Sequence, residues 1–158
     1  MYFSNSDNAI KREAFLPPAN SSDVSLLRRS YTNDNFCKKR LSKLKLGDNI
    51  YCGIATFFKF HVEEIKNTIV LADRVEVNVM GTPLDENDSY ITNPPVFKKT
   101  PGTPMHADLV YETPIVKGQP NTKHRKFASN LAKKANYFSD PNPKSSKWEG
   151  EKLKWIKK

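Results

Sequence analysis

His106-Ala107-Asp108-Leu109-Val110-Tyr111-Glu112 alternates in a way that sorts its side chains onto two faces, with Ala107, Leu109 and Tyr111 on one and His106, Asp108 and Val110 on the other. A period of two predicts a β-strand. Immediately upstream, residues 81–105 collect Pro83, Pro94, Pro95, Pro101 and Pro104 with few periodic apolar positions. A long irregular connection of this kind is uncommon in a compact domain unless it covers a site or docks a partner. Further upstream, Ile69 to Met80 is apolar and alternating, with Val75, Val77 and Val79 on one face. It reads as one long strand or as two strands joined around Ala72-Asp73-Arg74.

Downstream, Thr122 opens a helix in which Phe127, Leu131, Ala135 and Phe138 form an apolar stripe, ended by Asp140-Pro141-Asn142-Pro143. A second helix is expected from a Thr32 cap through Phe36, Cys37, Leu41 and Leu44 to a stop at Gly47. Ala9 to Leu16, Val24 to Tyr31 and Ile50 to Phe58 read as strands, the last interrupted at Gly53 by a bulge or a close neighbour. Phe60 to Lys66 has a short helical pattern. The expectation is an α+β fold: one domain over residues 9–138 with a small mixed or antiparallel sheet, two main helices and a long Pro-rich loop. Residues 139–158 follow as a basic C-terminal arm or tail.

A chain of 158 residues with 37% hydrophobic and 27% charged residues buries about two-thirds of its unfolded surface and folds without metal or disulfide help. Its apolar runs fall far short of the roughly 20 residues that cross a bilayer. The start, Met1-Tyr2-Phe3-Ser4-Asn5, lacks a basic region followed by an apolar core, so a cytoplasmic location and no membrane partner are expected. Cys37 and Cys52 stand alone, without CxxC spacing, as small buried or half-buried residues. No HxH or HExxH pattern accompanies the three histidines, so neither a metal site nor a cofactor is expected.

Charge is unevenly distributed. Residues 1–116 balance fourteen Lys/Arg against fourteen Asp/Glu, whereas residues 117–158 set twelve Lys/Arg against Asp140, Glu149 and Glu151, and so carry the whole net charge of +9. Such a segment attracts polyanions, and each phosphate it neutralises releases counterions. Lys123, Arg125, Lys126, Lys133, Lys134, Lys147 and Lys152 are the candidate nucleic-acid contacts, with Phe127, Tyr137, Phe138, Trp148 and Trp155 interleaved as rings for stacking. The competing reading buries Phe127 and Phe138 in the core and leaves the lysines as a solvated helix face.

Two clusters could carry chemistry. His106, entering a strand straight out of the Pro-rich loop, is placed to act as a general acid or base or to hold an anion, with Asp108 on its face to orient the ring. Arg28 offers a fork for phosphate or carboxylate, and Tyr31 a ring to stack. The bland alternatives are a loop hydrogen bond for His106 and an ion pair for the arginines.

In motif order the chain resembles an uncharacterised group of short bacterial proteins. The resemblance rests on Ala14-Phe15-Leu16-Pro17, Ser25-Leu26-Leu27-Arg28, a small-residue strand around Gly53, Pro104-Met105-His106-Ala107-Asp108-Leu109 and a closing helix like Phe127-Ala128-Ser129-Asn130-Leu131-Ala132. It implies a single domain and directs attention to His106, and it carries no activity. The functional expectation is a bacterial accessory protein of a multi-component system such as antiviral defence or a mobile element, binding nucleic acid or an acidic protein partner through residues 117–158. The alternative is a small enzyme acting on a phosphate-bearing or nucleotide substrate with Arg28 and His106 in its site.

Overall fold

A computed structural model describes residues 3–4, 9–19, 21–43, 51–92, 102–112, 115 and 119–153. In chain order the elements are β1 (Phe3–Ser4), β2 (Ala9–Ile10), β3 (Asp23–Leu27), α1 (Asp34–Leu41), β4 (Gly53–Thr56), α2 (Lys59–Thr68), β5 (Val77–Gly81), β6 (His106–Tyr111), α3 (Thr122–Lys134) and β7 (Asn136–Ser139). Short 3-10 turns occupy Arg12–Phe15, Arg29–Tyr31 and Leu71–Asp73.

β6 is the middle of a three-stranded sheet, antiparallel to β3 on one side and to β5 on the other. Because the strand period is two, the register separates the faces cleanly. Leu109 lies between Val24 and Val79, and Tyr111 is paired with Val77. That face packs on Val62 and Ile65 of α2, on Phe127, Ala128 and Leu131 of α3, and on Phe15. Each of the large side chains among them contributes roughly 1.5–3 kcal/mol by leaving water. The opposite face carries Asp108 between Ser25 and Met80, and His106 opposite Leu27. The α+β class expected from the sequence is the architecture of the protein, its sheets are antiparallel, and a third helix of ten residues is added at α2.

A second, smaller core joins Cys37, Ile54, Phe138 and Leu153, which ties α1, the β4–β7 pair and the C-terminal arm together. The arm is docked: the Trp148 amide donates to Asn35 Oδ1 at 2.7 Å and the Leu153 amide to Asp34 Oδ2 at 3.3 Å.

Several sequence expectations need correction. The Thr122 helix ends at Lys134, and Phe138 belongs to β7, paired with Ile54. The spacing of Phe138 suits a helix, yet Ala135 is already extended and β4 offers a ladder for Asn136–Ser139. Val24 to Tyr31 is a strand only to Leu27, before a 3-10 turn. Of Ala9 to Leu16 only Ala9–Ile10 is a strand, and the rest coils into a turn that buries Phe15. Between Ile69 and Met80 there is one strand, β5, preceded by a turn at Leu71–Asp73. Asn33, one residue after the expected Thr32, caps α1 by accepting from the Phe36 amide at 2.9 Å. Cys37 is buried but Cys52 is exposed. Leu44 and Gly47 lie outside the described residues, as do Trp155 and residues 93–101 of the Pro-rich loop.

Candidate functional site

The His106 face of the sheet opens into a cleft of about 330 Å³, lined by Leu84 and Tyr90 and by Arg40 and Leu41 of α1. Strand alternation directs His106 and Asp108 into it together, and both are buried, at 7% and 2% exposure. Thr82, just past the end of β5, joins them. Its hydroxyl donates to Asp108 Oδ2 at 2.6 Å and lies 2.9 Å from His106 Nδ1, which is also 2.9 Å from the Thr82 carbonyl oxygen. A carbonyl only accepts, so Nδ1 carries a hydrogen, and in the tautomer that this selects the lone pair sits on Nε2. The sequence expectation that Asp108 shares the face of His106 holds, and the orienting link runs through Thr82.

Arg28 and Tyr31 are elsewhere. The Arg28 guanidinium donates to the Pro104 carbonyl at 2.6 Å and stands 5.0 Å from the Tyr31 ring centroid. It also comes within 3.3 Å of where a β-carbon on Gly81 would be. Gly81 pairs with Ala107, whose side chain points away from the cleft. The four residues expected to converge therefore divide into His106 with Asp108 and Arg28 with Tyr31. Arg28 clamps the Pro104–Met105 turn instead of facing an anion bound beside His106. The cleft is lined by three carboxylates, Asp23, Asp88 and Asp108. Its single lining guanidinium, Arg40, is held by Asp88 at 2.6 Å. Phosphate meets the wrong charge here.

The basic candidates lie on α3 and on the arm. Asn121 caps α3 reciprocally, its side chain accepting from the His124 amide at 3.0 Å while its own amide donates to His124 Nδ1 at 3.2 Å. With His124, Phe127, Ala128 and Leu131 buried, the helix turns Lys123, Arg125, Lys126, Lys133 and Lys134 outward, and it contains no acidic residue. α2 answers in part. Glu64 takes Lys134 at 2.7 Å, and Asp73 takes Lys126 at 2.6 Å. The hydrogen bond from Lys126 holds the Asp73 carboxyl below its ordinary range, and Lys123 adds to the effect; the bond from Lys134 does the same for Glu64. Lys123, Arg125 and Lys133 on α3, and Lys147 and Lys152 on the arm, are exposed and make no ion pair with any described residue.

Of the rings expected to interleave with these charges, none that is described is fully exposed. Phe127 and Phe138 are core residues, and Tyr137 and Trp148 are half-buried. The exposed ring nearest the end of α3 that sequence reasoning missed is Phe60. It is 56% exposed, stacked on Phe58 at 5.4 Å and met edge-on by His61 at 4.3 Å. Burial, and after it the charge of Lys134, pushes the His61 ring below its ordinary pKa, which places this aromatic group beside the C-terminal end of α3. Its signal was present in Phe57-Phe58-Lys59-Phe60-His61, an aromatic run too dense for a helix of this length to bury.

No protein-family model, curated protein or solved structure matches the chain.

Proposed function

We propose that this protein is a non-enzymatic nucleic-acid-binding module of the cytoplasm that engages the phosphate backbone through the solvent face of α3. The observation that carries the reading is that α3 has five cations and no anion, and that three of them, Lys123, Arg125 and Lys133, are left without an acidic partner among the described residues. A helix serving only as a solvated face is expected to mix signs, since alternating charges lower self-repulsion. Exposed Phe60 beside the end of α3 adds a surface on which an unpaired base stacks, a contact worth about 1–3 kcal/mol per base. Lys147 and Lys152 are further exposed cations on the docked arm. An accessory role within a larger bacterial assembly fits a binding module of this size.

The test is fluorescence anisotropy of a labelled single-stranded oligonucleotide against the full chain, repeated across a salt series and with a duplex of the same sequence. Affinity should fall linearly on a log–log plot against salt. The triple variant Lys123→Gln/Arg125→Gln/Lys133→Gln should make the slope shallower by about 2 for the single strand. Phe60→Ala should weaken the single strand more than the duplex. Binding that is indifferent to salt, or a triple variant with unchanged affinity and slope, sinks the proposal. Capture of polyglutamate in preference to the oligonucleotide replaces it with an acidic protein partner.

A further inference from the structure

The cleft on the other side of the sheet is independent of the basic helix, and its chemistry selects the opposite charge. His106 Nε2 points toward Asp108 Oδ1 across 3.7 Å, too far for a hydrogen bond. With Nδ1 committed as donor to the Thr82 carbonyl and the Thr82 hydroxyl committed to Asp108 Oδ2, Nε2 of this tautomer and Asp108 Oδ1 face one another as acceptors. Nε2 has no hydrogen-bond partner among the described residues, although the ring is more than nine-tenths buried. Two acceptors held that far apart, one of them anionic, define the seat of a donor cation. A nitrogen about 2.9 Å from each satisfies both.

The rest of the cleft narrows the class. Asp23 adds a carboxylate, fixed by the Ser21 hydroxyl at 3.1 Å, and Leu27, Leu41 and Leu84 supply an apolar lining. Tyr90, 70% exposed at the mouth, presents a ring to a passing cation. No group of three or more metal-ligating side chains is assembled among the described residues, which favours an organic cation over a metal ion. A volume of about 330 Å³ accommodates a short alkyl chain with one charged end.

We propose that this cleft binds the ammonium group of a primary alkylamine, with Asp108 Oδ1 and His106 Nε2 as its acceptors and Thr82 as the residue that fixes both. The amine has two natural sources, a free aliphatic diamine and the side chain of a lysine in a polypeptide, and the experiment separates them.

Isothermal titration calorimetry on the full chain with 1,5-diaminopentane, with the capped peptide acetyl-Gly-Lys-Gly-amide, and with 1-pentanol as the uncharged control tests the assignment. Saturable binding of an amine, and none of pentanol, is expected. Tighter binding of the diamine assigns a small-molecule site, and tighter binding of the peptide a lysine-recognition site. Asp108→Asn should weaken the amine by about tenfold or more, the loss of one charge-assisted hydrogen bond, and Thr82→Val should weaken it with Asp108 intact. Because Asp108 is buried and its replacement could unfold the chain, Asp23→Asn at the rim is the second variant, expected to lose severalfold in affinity at unchanged thermal stability. Chemical-shift changes confined to the His106 ring on adding diamine provide a readout that needs no variant. Failure of both amines to bind the wild-type chain, equal binding of pentanol, or displacement of the amine by inorganic phosphate overturns the proposal.

Discussion

Lys38 Nζ lies 2.7 Å from Asp140 Oδ2, and the two side chains are 1% and 0% exposed. The pair joins the middle of α1 to the start of the C-terminal arm across more than a hundred residues of sequence. It is completed by the Asn142 carbonyl, which accepts from Lys38 Nζ at 2.8 Å, and by the Asn142 amide, which donates to Asp140 Oδ1 at 3.0 Å. The attraction of such a pair is largely offset by the cost of desolvating it, so its net worth is small, whereas the loss of one partner leaves a bare charge in the interior. Lys38→Met should therefore cost about 3–5 kcal/mol, and Lys38→Met/Asp140→Leu much less than that. Urea unfolding midpoints of the two variants check the ordering. A double variant as unstable as the single one removes the argument.

The same pair sets an acid limit. Burial pushes the Asp140 carboxyl up, but the hydrogen bond from Lys38, the Asn142 amide and the Tyr51 hydroxyl together outweigh it and hold the group below its ordinary value of 3.8. A carboxyl depressed on folding contributes stability that is fully present above its unfolded pKa and is lost as pH falls through the folded one. Stability should thus decline on acidification below about pH 4. Asp140→Asn should flatten that decline while lowering stability at neutral pH. Glu64, Asp73 and Glu149 are depressed as well, but they lie at the surface, and screening leaves them little share in the slope.

Gly53 is required by close approach. A β-carbon there would stand 2.4 Å from the Phe138 carbonyl oxygen and 2.5 Å from the Tyr137 hydroxyl. The first is backbone and cannot step aside without breaking the β4–β7 ladder. Gly53→Ala should destabilise the chain by about 1–3 kcal/mol, with hydrogen exchange rising first in β4 and β7 and only later in the β3–β6–β5 sheet.

This approach shows what kind of information the sequence held. A glycine inside an apolar run announces a bulge or a near neighbour, but which neighbour is a matter of tertiary contact, and Phe138 read instead as the end of a helical stripe. β6 was legible because its alternation is local and uninterrupted, and the placing of His106 and Asp108 on one face followed from it. Thr82 was not legible, since it is 24 residues upstream of His106 and meets it only when β5 folds against β6. The position of Arg28 was not legible, because its strand ends at Leu27 and the guanidinium turns to the Pro104 carbonyl. The net charge of the last quarter was plain to read, whereas its partial neutralisation by Asp73 and Glu64 depended on how α2 and the turn after it pack along α3.

Tyr111 secures the N-terminal turn to the sheet. Its hydroxyl donates to the Phe15 carbonyl at 2.5 Å in the interior of the main core. Tyr111→Phe keeps the ring and strands that carbonyl, so a loss of about 1–3 kcal/mol is expected. Thermal unfolding measures it, and a variant as stable as the wild type would mean that the carbonyl finds another donor.

Asp73 gives the sharpest test of the nucleic-acid reading, because it changes charge on a neighbouring segment and leaves α3 untouched. Its bond to Lys126 joins two half-exposed side chains, at 46% and 49%, and such pairs are worth at most about 1 kcal/mol. Asp73→Asn should release Lys126 to meet phosphate and tighten oligonucleotide binding by about two- to fivefold, whereas Lys126→Gln should weaken it by a similar factor. Both variants should stay within about 0.5 kcal/mol of wild-type stability. Opposite effects on affinity from two substitutions with the same small effect on folding cannot arise from damage to the fold. Raising the salt concentration should bring the two affinities together, because the field that separates them is screened within about 10 Å at 0.1 M. If the two variants instead shift affinity in the same direction, the face of α3 is not where the polyanion sits.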